Sequence, residues 1–442
     1  MAAESTPPKL PPTPMERAPV PDLGSARIPK SRYVSREYAE LEHRHLWNRV
    51  WHLAGFERDA PDPGDYFTYE IGRESVVVVR QRDGSFSAFH NVCMHRGNRL
   101  VEPGRGNARS FVCLFHGWRY GLDGSLEAAL DAETFPQGCP TDELSLRRVR
   151  CDRWGGFVWI HLDPDAEPLR DHLDILPTHL DPYHFEEMSI VDDVTLAIEC
   201  NWKTSMDAFH EAYHIYGTHP DTLDVNDDVN VPIDCYTRHS RMLLQLAVAS
   251  PRHPEHDRVT QRIRDHFLPT AGIDGATFDG SADDVRPAIA KSVRERQAPV
   301  LGADFSELSD AQLSDDFHYS IFPNVTFNIF GRGAWLFRHR PHPSDPDRMF
   351  FDFFNLVRAP ALELPRAEHR DHVVTDDFVL EPVGGGGELL AQDTYNLPRI
   401  QRGMHSSGFR GLHLGAQEIR IRHFHRVLEQ YIPRDLERPD GG

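Results

Sequence analysis

The sequence predicts an α+β protein, with an N-terminal antiparallel β domain and a larger mixed domain closed by a long helix. Three observations predict it. Short β-branched and aromatic runs separated by Asp-Gly turns crowd residues 45–165. Apolar runs of strand length return after residue 317. The segment 414–432 instead repeats apolar residues at helical spacing, at Leu414, Ile421, Phe424, Leu428 and Tyr431. At about 150 residues per domain, 442 residues make two to three domains. A hydrophobic share of 39% and a charged share of 26% exclude wholesale disorder. The charge sum, 48 − 68 = −20, argues against nucleic acid as the main partner, because neutralising phosphates needs clustered Lys and Arg. No apolar run is long enough to span a membrane, and the N-terminus lacks a basic-then-apolar export pattern. The expected location is cytoplasmic.

The elements follow in order. Eight prolines in residues 1–32 predict an extended or disordered arm, and Arg36–Trp51 a helix with Tyr38, Leu41, Leu46 and Trp47 near one face, so residues 1–44 form an arm and leading helix. In residues 45–165, YFTYEIG (66–72), SVVVVR (75–80) and FSAFHNV (86–92) read as strands around an Asp83-Gly84 turn. FVCLFHGWRYGLDGSL (111–126), turning at Asp123-Gly124, and GGFVWIHL (155–162) complete that domain. The second domain, 166–442, opens with a helix (169–176) and strands (189–200), then a helix over NWKTSMDAFHEAYHIY (201–216) ending before Gly217. The polar stretch 250–316 predicts helical or loop excursions over the core. Residues 317–330, 334–340 and 349–357 read as strands of a second sheet, and the glycines at 384–387 as a flexible loop. There is no internal repeat.

Six cysteines, at 93, 113, 139, 151, 200 and 235, sit in a large chain without an export signal, so close Cys/His spacings point to metal rather than disulfide. Most of the 26 histidines read as ordinary loop residues. Four stand apart. Cys93-Met-His95 and Cys113-Leu-Phe-His116 lie on successive hairpin loops, and two thiolates with two imidazoles suit tetrahedral zinc or a two-iron cluster with mixed ligation. Gly97 and Gly117 permit tight turns there, and Phe115, Trp118 and Tyr120 could shield the group from water. CMHRGNRL followed by CLFHGWRYGLDGSL resembles the Rieske [2Fe–2S] motif. A structural zinc ribbon is the plainer alternative.

A second constellation reads two ways. His210-Glu211-Ala212-Tyr213-His214 matches the H-E-x-x-H string of zinc peptidases, with Glu211 as general base. A zinc metallopeptidase with a structural zinc ribbon is therefore the alternative function. NWKTSMDAFHEAYHIYGTHP (201–220), however, resembles the mononuclear iron segment of Rieske non-haem iron oxygenases, the aromatic-ring-hydroxylating dioxygenase family, in its alpha subunit. That resemblance puts iron ligands at His214 and His219, a bridging acid at Glu211, and leaves His210 unconstrained. Asp393 in AQDTYNLPRIQRGM resembles the family's ligand Asp; Asp376 and Asp377 are the other acids available, read as surface residues. Two imidazoles and a carboxylate leave positions open for O2. Phe209 and Leu389 match pocket-lining positions, with plain core as the alternative, and Ala208, also a candidate substrate contact, replaces an Asn that the naphthalene-type dioxygenases carry beside the iron.

The resemblance runs from about residue 40 to 430. It implies a Rieske domain followed by a helix-grip (SRPBCC, START-like) catalytic domain, a twisted antiparallel sheet over the C-terminal helix. It implies head-to-tail homotrimers, with a beta subunit in some members, in which Glu211 links His116 of the partner subunit to His214. The activity implied is that of an oxidoreductase using O2 as co-substrate at mononuclear Fe(II). It would cis-dihydroxylate, monohydroxylate or oxidatively demethylate a small organic, possibly aromatic, substrate. Electrons would come from NAD(P)H through a separate reductase or ferredoxin, because no flavin or nicotinamide fingerprint is present. A third reading is an iron–sulfur electron carrier whose second domain only binds partners. The sequence departs from the family in Gln392, where an acid often precedes the ligand Asp, and in the stretch 250–316.

Overall fold

The run of valines at 76–79 organises the first unit, Glu40–His172. Val77 and Val79 face a core shared with Phe89, Phe111, Trp118 and Tyr120, and Val76 and Val78 on the opposite face are buried too. A strand covered on both sides needs no alternation. In chain order the strands are β1 (His52–Phe56), β2 (Asp65–Ile71), β3 (Glu74–Arg80), β4 (Phe86–His90), β5 (Arg105–Asn107), β6 (Phe111–Val112), β7 (Arg119–Tyr120), β8 (Leu126–Ala128), β9 (Arg148–Trp154) and β10 (Phe157–His161). One sheet runs β1-β10-β9-β4-β3-β2-β5, and β6-β7-β8 form a second, small one. Both expected Asp-Gly turns form. Gly124 has φ +87°, and a Cβ there would strike the Phe89 ring, so this turn requires glycine on two counts. The sequence reading assigned no strand to β1, β5 or β9; β9 is charged and half solvated, which hides its pattern.

The second unit joins the described residues up to Ala39 with those from Leu173 onward. Its strands are β11 (Met188–Ile198), β12 (Asn226–Asp227), β13 (Ile233–Cys235), β14 (Ser240–Leu246), β15 (Asp316–Ile321), β16 (Val325–Ile329), β17 (Gly333–Pro341), β18 (Met349–Arg358) and β19 (Arg370–Val373). They form one curled sheet in the order β12-β14-β15-β16-β17-β18-β11-β19, with β13 on β14. Pairing is antiparallel except at the edge, where the exposed β19 runs parallel to β11. The 317–330 run splits into β15 and β16 around Pro323, which has no N–H for a ladder. The closing helix spans Ile419–Tyr431 and buries Ile421, Phe424 and Leu428; Leu414 precedes it.

The helix expected over 201–216 is broken. It runs Trp202–Ala208, its first turn capped by the Asn201 side chain accepting from the Lys203 N–H at 3.0 Å. A short turn, Ile215–Thr218, follows separately. Between them the Glu211 carboxylate accepts the His214 N–H at 2.9 Å, a local bond that competes with the helical ladder.

The computed structural model describes residues 13–138, 140, 142–375 and 387–436. The first twelve residues of the arm, Cys139, Asp376, Asp377 and most of the glycine loop lie outside these. From residue 13 the arm is a strap on the second unit. Arg241 donates to the carbonyls of Pro14 and Glu16, the Ala18 N–H donates to Asp234 Oδ1 at 2.7 Å, and Ile28 bridges to Leu412. No helix among the described residues is long and apolar enough to cross a membrane.

Candidate metal centres

Two loops of matching geometry build the first centre. Cys93 N–H donates to the Asn98 carbonyl at 2.8 Å and Gly97 N–H returns to the Cys93 carbonyl at 3.0 Å. Cys113 repeats this with Trp118 at 2.8 Å and Gly117 at 2.9 Å. Gly97 and Gly117, at φ +76° and +68°, let each loop close behind its cysteine. Both thiols are 2% exposed, while His95 and His116 are half-buried with ring centroids 4.7 Å apart. His95 lies flat on Trp118, centroids 4.8 Å apart, and its Nδ1 is buried without a hydrogen-bond partner.

Polar contacts prepare the sulfurs for charge. Tyr120 Oη accepts from the Met94 N–H at 3.0 Å and donates to Cys93 Sγ at 3.3 Å. Burial raises the Cys93 thiol and this hydrogen bond works against it. At Cys113 burial acts in the same sense, but the N–H groups of Phe115 and His116, with the Cys93 and Asn98 side chains, outweigh it and the thiol is lowered. Sulfurs buried within and imidazoles toward the surface match a two-iron cluster with segregated ligands. Elsewhere, His214, His219 and Asp393 bring three donor atoms within 4.8 Å of one another.

That trio is the second centre. His214 precedes the short turn, His219 follows it, and Asp393 comes from the helix Gly387–Met404. Asp393 Oδ1 lies 3.0 Å from His219 Nε2 and 3.6 Å from His214 Nε2. The other ring nitrogens are held from behind: His214 Nδ1 by Glu211 Oε1 at 2.7 Å, His219 Nδ1 by Gln392 Oε1 at 2.6 Å. An acceptor on each Nδ1 leaves each Nε2 lone pair facing the shared space. Burial disfavours the His214 imidazolium, but the Glu211 and Asp393 carboxylates overcome it and raise its pKa to about 9. A field that favours a proton there also favours a divalent cation. Two imidazoles and one carboxylate fit iron(II) with open positions.

His210 is elsewhere. It is fully buried, bonded through Nε2 to Ser320 Oγ at 2.8 Å, and packed on Phe424. The H-E-x-x-H grouping therefore does not assemble, because the break after Ala208 turns His210 and His214 apart. Glu211 lies beside His214, bonded to its Nδ1, and is not one of the three clustered donors.

A cavity of about 870 Å³ opens beside the trio. Ala208, Phe209 and Leu389 line it, with Phe209 stacked on Phe351 at 5.6 Å. The stretch 250–316 proves to be part of the wall, contributing Arg262, Phe267, Ala271, Ile289 and Leu301. The sequence reading missed Asp316, His318 and Asn328, which line the cavity from the sheet. The available signal was polar residues at alternate positions of otherwise apolar strands.

Comparison with known proteins gives two family matches along the chain. Residues 50–137 match the Rieske [2Fe-2S] domain, and residues 185–434 match the ring hydroxylating alpha subunit (catalytic domain). The chain is 32% identical over 213 residues to the glycine betaine monooxygenase oxygenase subunit of Pseudomonas aeruginosa, covering 47% of this chain and 49% of that one. It is 33% identical over 231 residues to the carnitine monooxygenase oxygenase subunit of Escherichia coli, covering 51% and 59%. Identity to the large oxygenase component of the naphthalene 1,2-dioxygenase system of Pseudomonas fluorescens is 34% over 199 residues, 44% of each chain. The chain thus spans about half the length of the curated relatives it matches. In fold it is similar to a quaternary ammonium Rieske monooxygenase solved with L-carnitine, with TM-score 0.64 at 18% identity over 94% of this chain and 99% of the other. It is likewise similar to a naphthalene 1,2-dioxygenase solved with phenanthrene, with TM-score 0.64 at 20% identity and 93% of each chain covered. The catalytic-domain match takes in more than half of the sequence, and the chain belongs to the family of ring hydroxylating alpha subunits, with a Rieske domain ahead of the catalytic one.

Proposed function

We propose that the chain is the terminal oxygenase of a multicomponent Rieske system, hydroxylating or oxidatively demethylating a small organic substrate. The observation that carries this reading is the convergence of His214, His219 and Asp393 at the edge of a large, mostly apolar cavity. Cys93, Cys113, His95 and His116 would hold a [2Fe–2S] cluster, and the trio a mononuclear iron. When bound, the cluster supplies single electrons and the mononuclear iron activates O2 for insertion into substrate.

The chain's own residues do the rest. Glu211 and Gln392 fix the tautomers of His214 and His219. Phe209 and the apolar wall keep the substrate dry beside the trio. Electrons would come from NAD(P)H through a reductase or ferredoxin. The working form would be a homotrimer, with or without a beta subunit, in which Glu211 also reaches His116 of the partner subunit. Exposed apolar side chains flank both centres, Leu114 (90%) and Phe115 (55%) at the first and Tyr213 (63%) and Tyr216 (58%) at the second, which suits surfaces covered on assembly.

The test is a spectrum followed by turnover. The purified protein is expected to show the red-brown absorption of a Rieske cluster, and with a surrogate reductase to consume O2 while depleting a substrate from a mixed panel. A colourless zinc protein would refute the reading. So would a red-brown protein that passes electrons onward but never incorporates oxygen.

A further inference from the structure

The cavity wall opposite the helical ligands is not uniformly apolar. Register aligns His318 of β15 with Asn328 of β16, and Asn328 with Trp335 of β17, which pairs in turn with Asn355 of β18. All four residues line the cavity. Asp316, two residues before His318 on the same strand face, lines it as well and accepts from Asn328 Nδ2 at 2.5 Å through Oδ2.

Three buried polar atoms in this group have no partner: Asp316 Oδ1, His318 Nε2 and Asn328 Oδ1. Such atoms are costly, about 1–3 kcal/mol each when left unsatisfied, and point to a ligand that satisfies them. Their chemistry is fixed by their neighbours. Arg420 donates to His318 Nδ1 at 3.1 Å, and burial holds the imidazole neutral, so its proton sits on Nε2, a donor. Asn328 donates one of its two amide hydrogens to Asp316, and its Oδ1, an acceptor, is left without a partner. Asp316 offers Oδ1, and burial pushes its pKa up to about 7. One donor beside two acceptors fits a group that both accepts and donates. A quaternary ammonium has no N–H to give the two acceptors, and a carboxylate would meet them with its own lone pairs.

We propose that Asp316, His318 and Asn328 form a recognition subsite for an uncharged hydroxyl carried by an otherwise apolar substrate. This rests on the oxygenase reading and narrows its substrate class from small organic molecules to hydroxylated, largely apolar ones.

The test is calorimetric binding to the full-length holoprotein, with 2-naphthol, naphthalene and glycine betaine as probes. A red-brown spectrum is checked first, because its absence sinks the oxygenase reading before any probe is added. With the cluster present, 2-naphthol is expected to bind about tenfold or more tighter than naphthalene, since a site built for a hydroxyl rejects the analogue lacking it. Glycine betaine is expected to bind weakest. Asn328→Leu, similar in size but apolar, should bring 2-naphthol to within about twofold of naphthalene. If that variant does not fold, Asp316→Asn replaces it: turning one acceptor toward a donor should cut the preference several-fold. Equal affinity for 2-naphthol and naphthalene in the unaltered protein overturns the proposal. So does tightest binding of glycine betaine, no binding of any probe, or an unchanged preference in the folded variant.

Discussion

Cys113 illustrates how single residues carry the account. Its thiol is buried, which raises its pKa, yet the Phe115 and His116 N–H groups with the Cys93 and Asn98 side chains lower it, an arrangement that suits a sulfur that becomes negative. Cys93→Ser and Cys113→Ser are therefore expected to abolish the visible cluster spectrum, because an alkoxide replaces an iron-bound thiolate poorly, while iron at the His/Asp trio remains. An unchanged spectrum in either variant would remove the cluster assignment. Asp352 carries structure instead. It accepts from Thr195 at 2.7 Å, Arg338 at 2.9 Å and Arg340 at 2.7 Å; burial raises its pKa, but the two guanidinium groups hold it well below the usual carboxylate range. With a depressed folded pKa, ionised Asp352 stabilises above about pH 4, and that stability is lost as pH falls toward the folded value. Asp352→Asn should cost about 3–5 kcal/mol near neutrality, because Arg338 and Arg340 lose their shared anion. Urea unfolding should show the gap between variant and parent narrowing as pH drops below about 4.

At the scale of elements, the ligand helix Gly387–Met404 is pinned far from Asp393 by a buried amide. Gln401 Oε1 accepts from Asn201 N and Thr204 Oγ1, each at 3.0 Å, and Gln401 Nε2 donates to Asp347 Oδ1 at 2.6 Å. That bond set ties the helix bearing Asp393 to the segment leading into His214 and His219. Gln401→Leu is expected to cost about 2–4 kcal/mol by leaving these groups unsatisfied. Its denaturant midpoint should fall and iron should leave more readily on dialysis; a midpoint equal to the parent's would contradict the pinning. Legibility followed physical locality. The hairpins at Asp83-Gly84 and Asp123-Gly124 and the closing helix were readable because turn chemistry and periodicity are written in adjacent residues. The break after Ala208 was not, because it depends on the Glu211 side chain capturing a backbone N–H within a stretch of good helix formers. The candidate ligand residues stood out through their resemblance to a family motif. The polar row on β15 and β16 was masked by an apolar run that reads as ordinary buried strand.

For the whole molecule, the proposed function requires electrons to pass from one candidate centre to the other. Glu211 already gives both oxygens to His214, Oε1 to its ring and Oε2 to its N–H, and each oxygen keeps a further lone pair. Glu211→Gln should leave both metals bound and slow reoxidation of a pre-reduced cluster when O2 and substrate are mixed in, because a neutral amide weakens the charge-assisted bonds. Normal reoxidation in that variant would leave Glu211 as a local cap only. The central claim, that His214, His219 and Asp393 hold a working iron and His210 does not, is tested most directly by iron per chain, measured beside the cluster spectrum. The unaltered protein and His210→Ala are expected to carry about three irons, and His214→Ala, His219→Ala and Asp393→Ala about two, all with the same spectrum. Retention of the third iron in His219→Ala or Asp393→Ala, together with its loss from folded His210→Ala, would contradict the account.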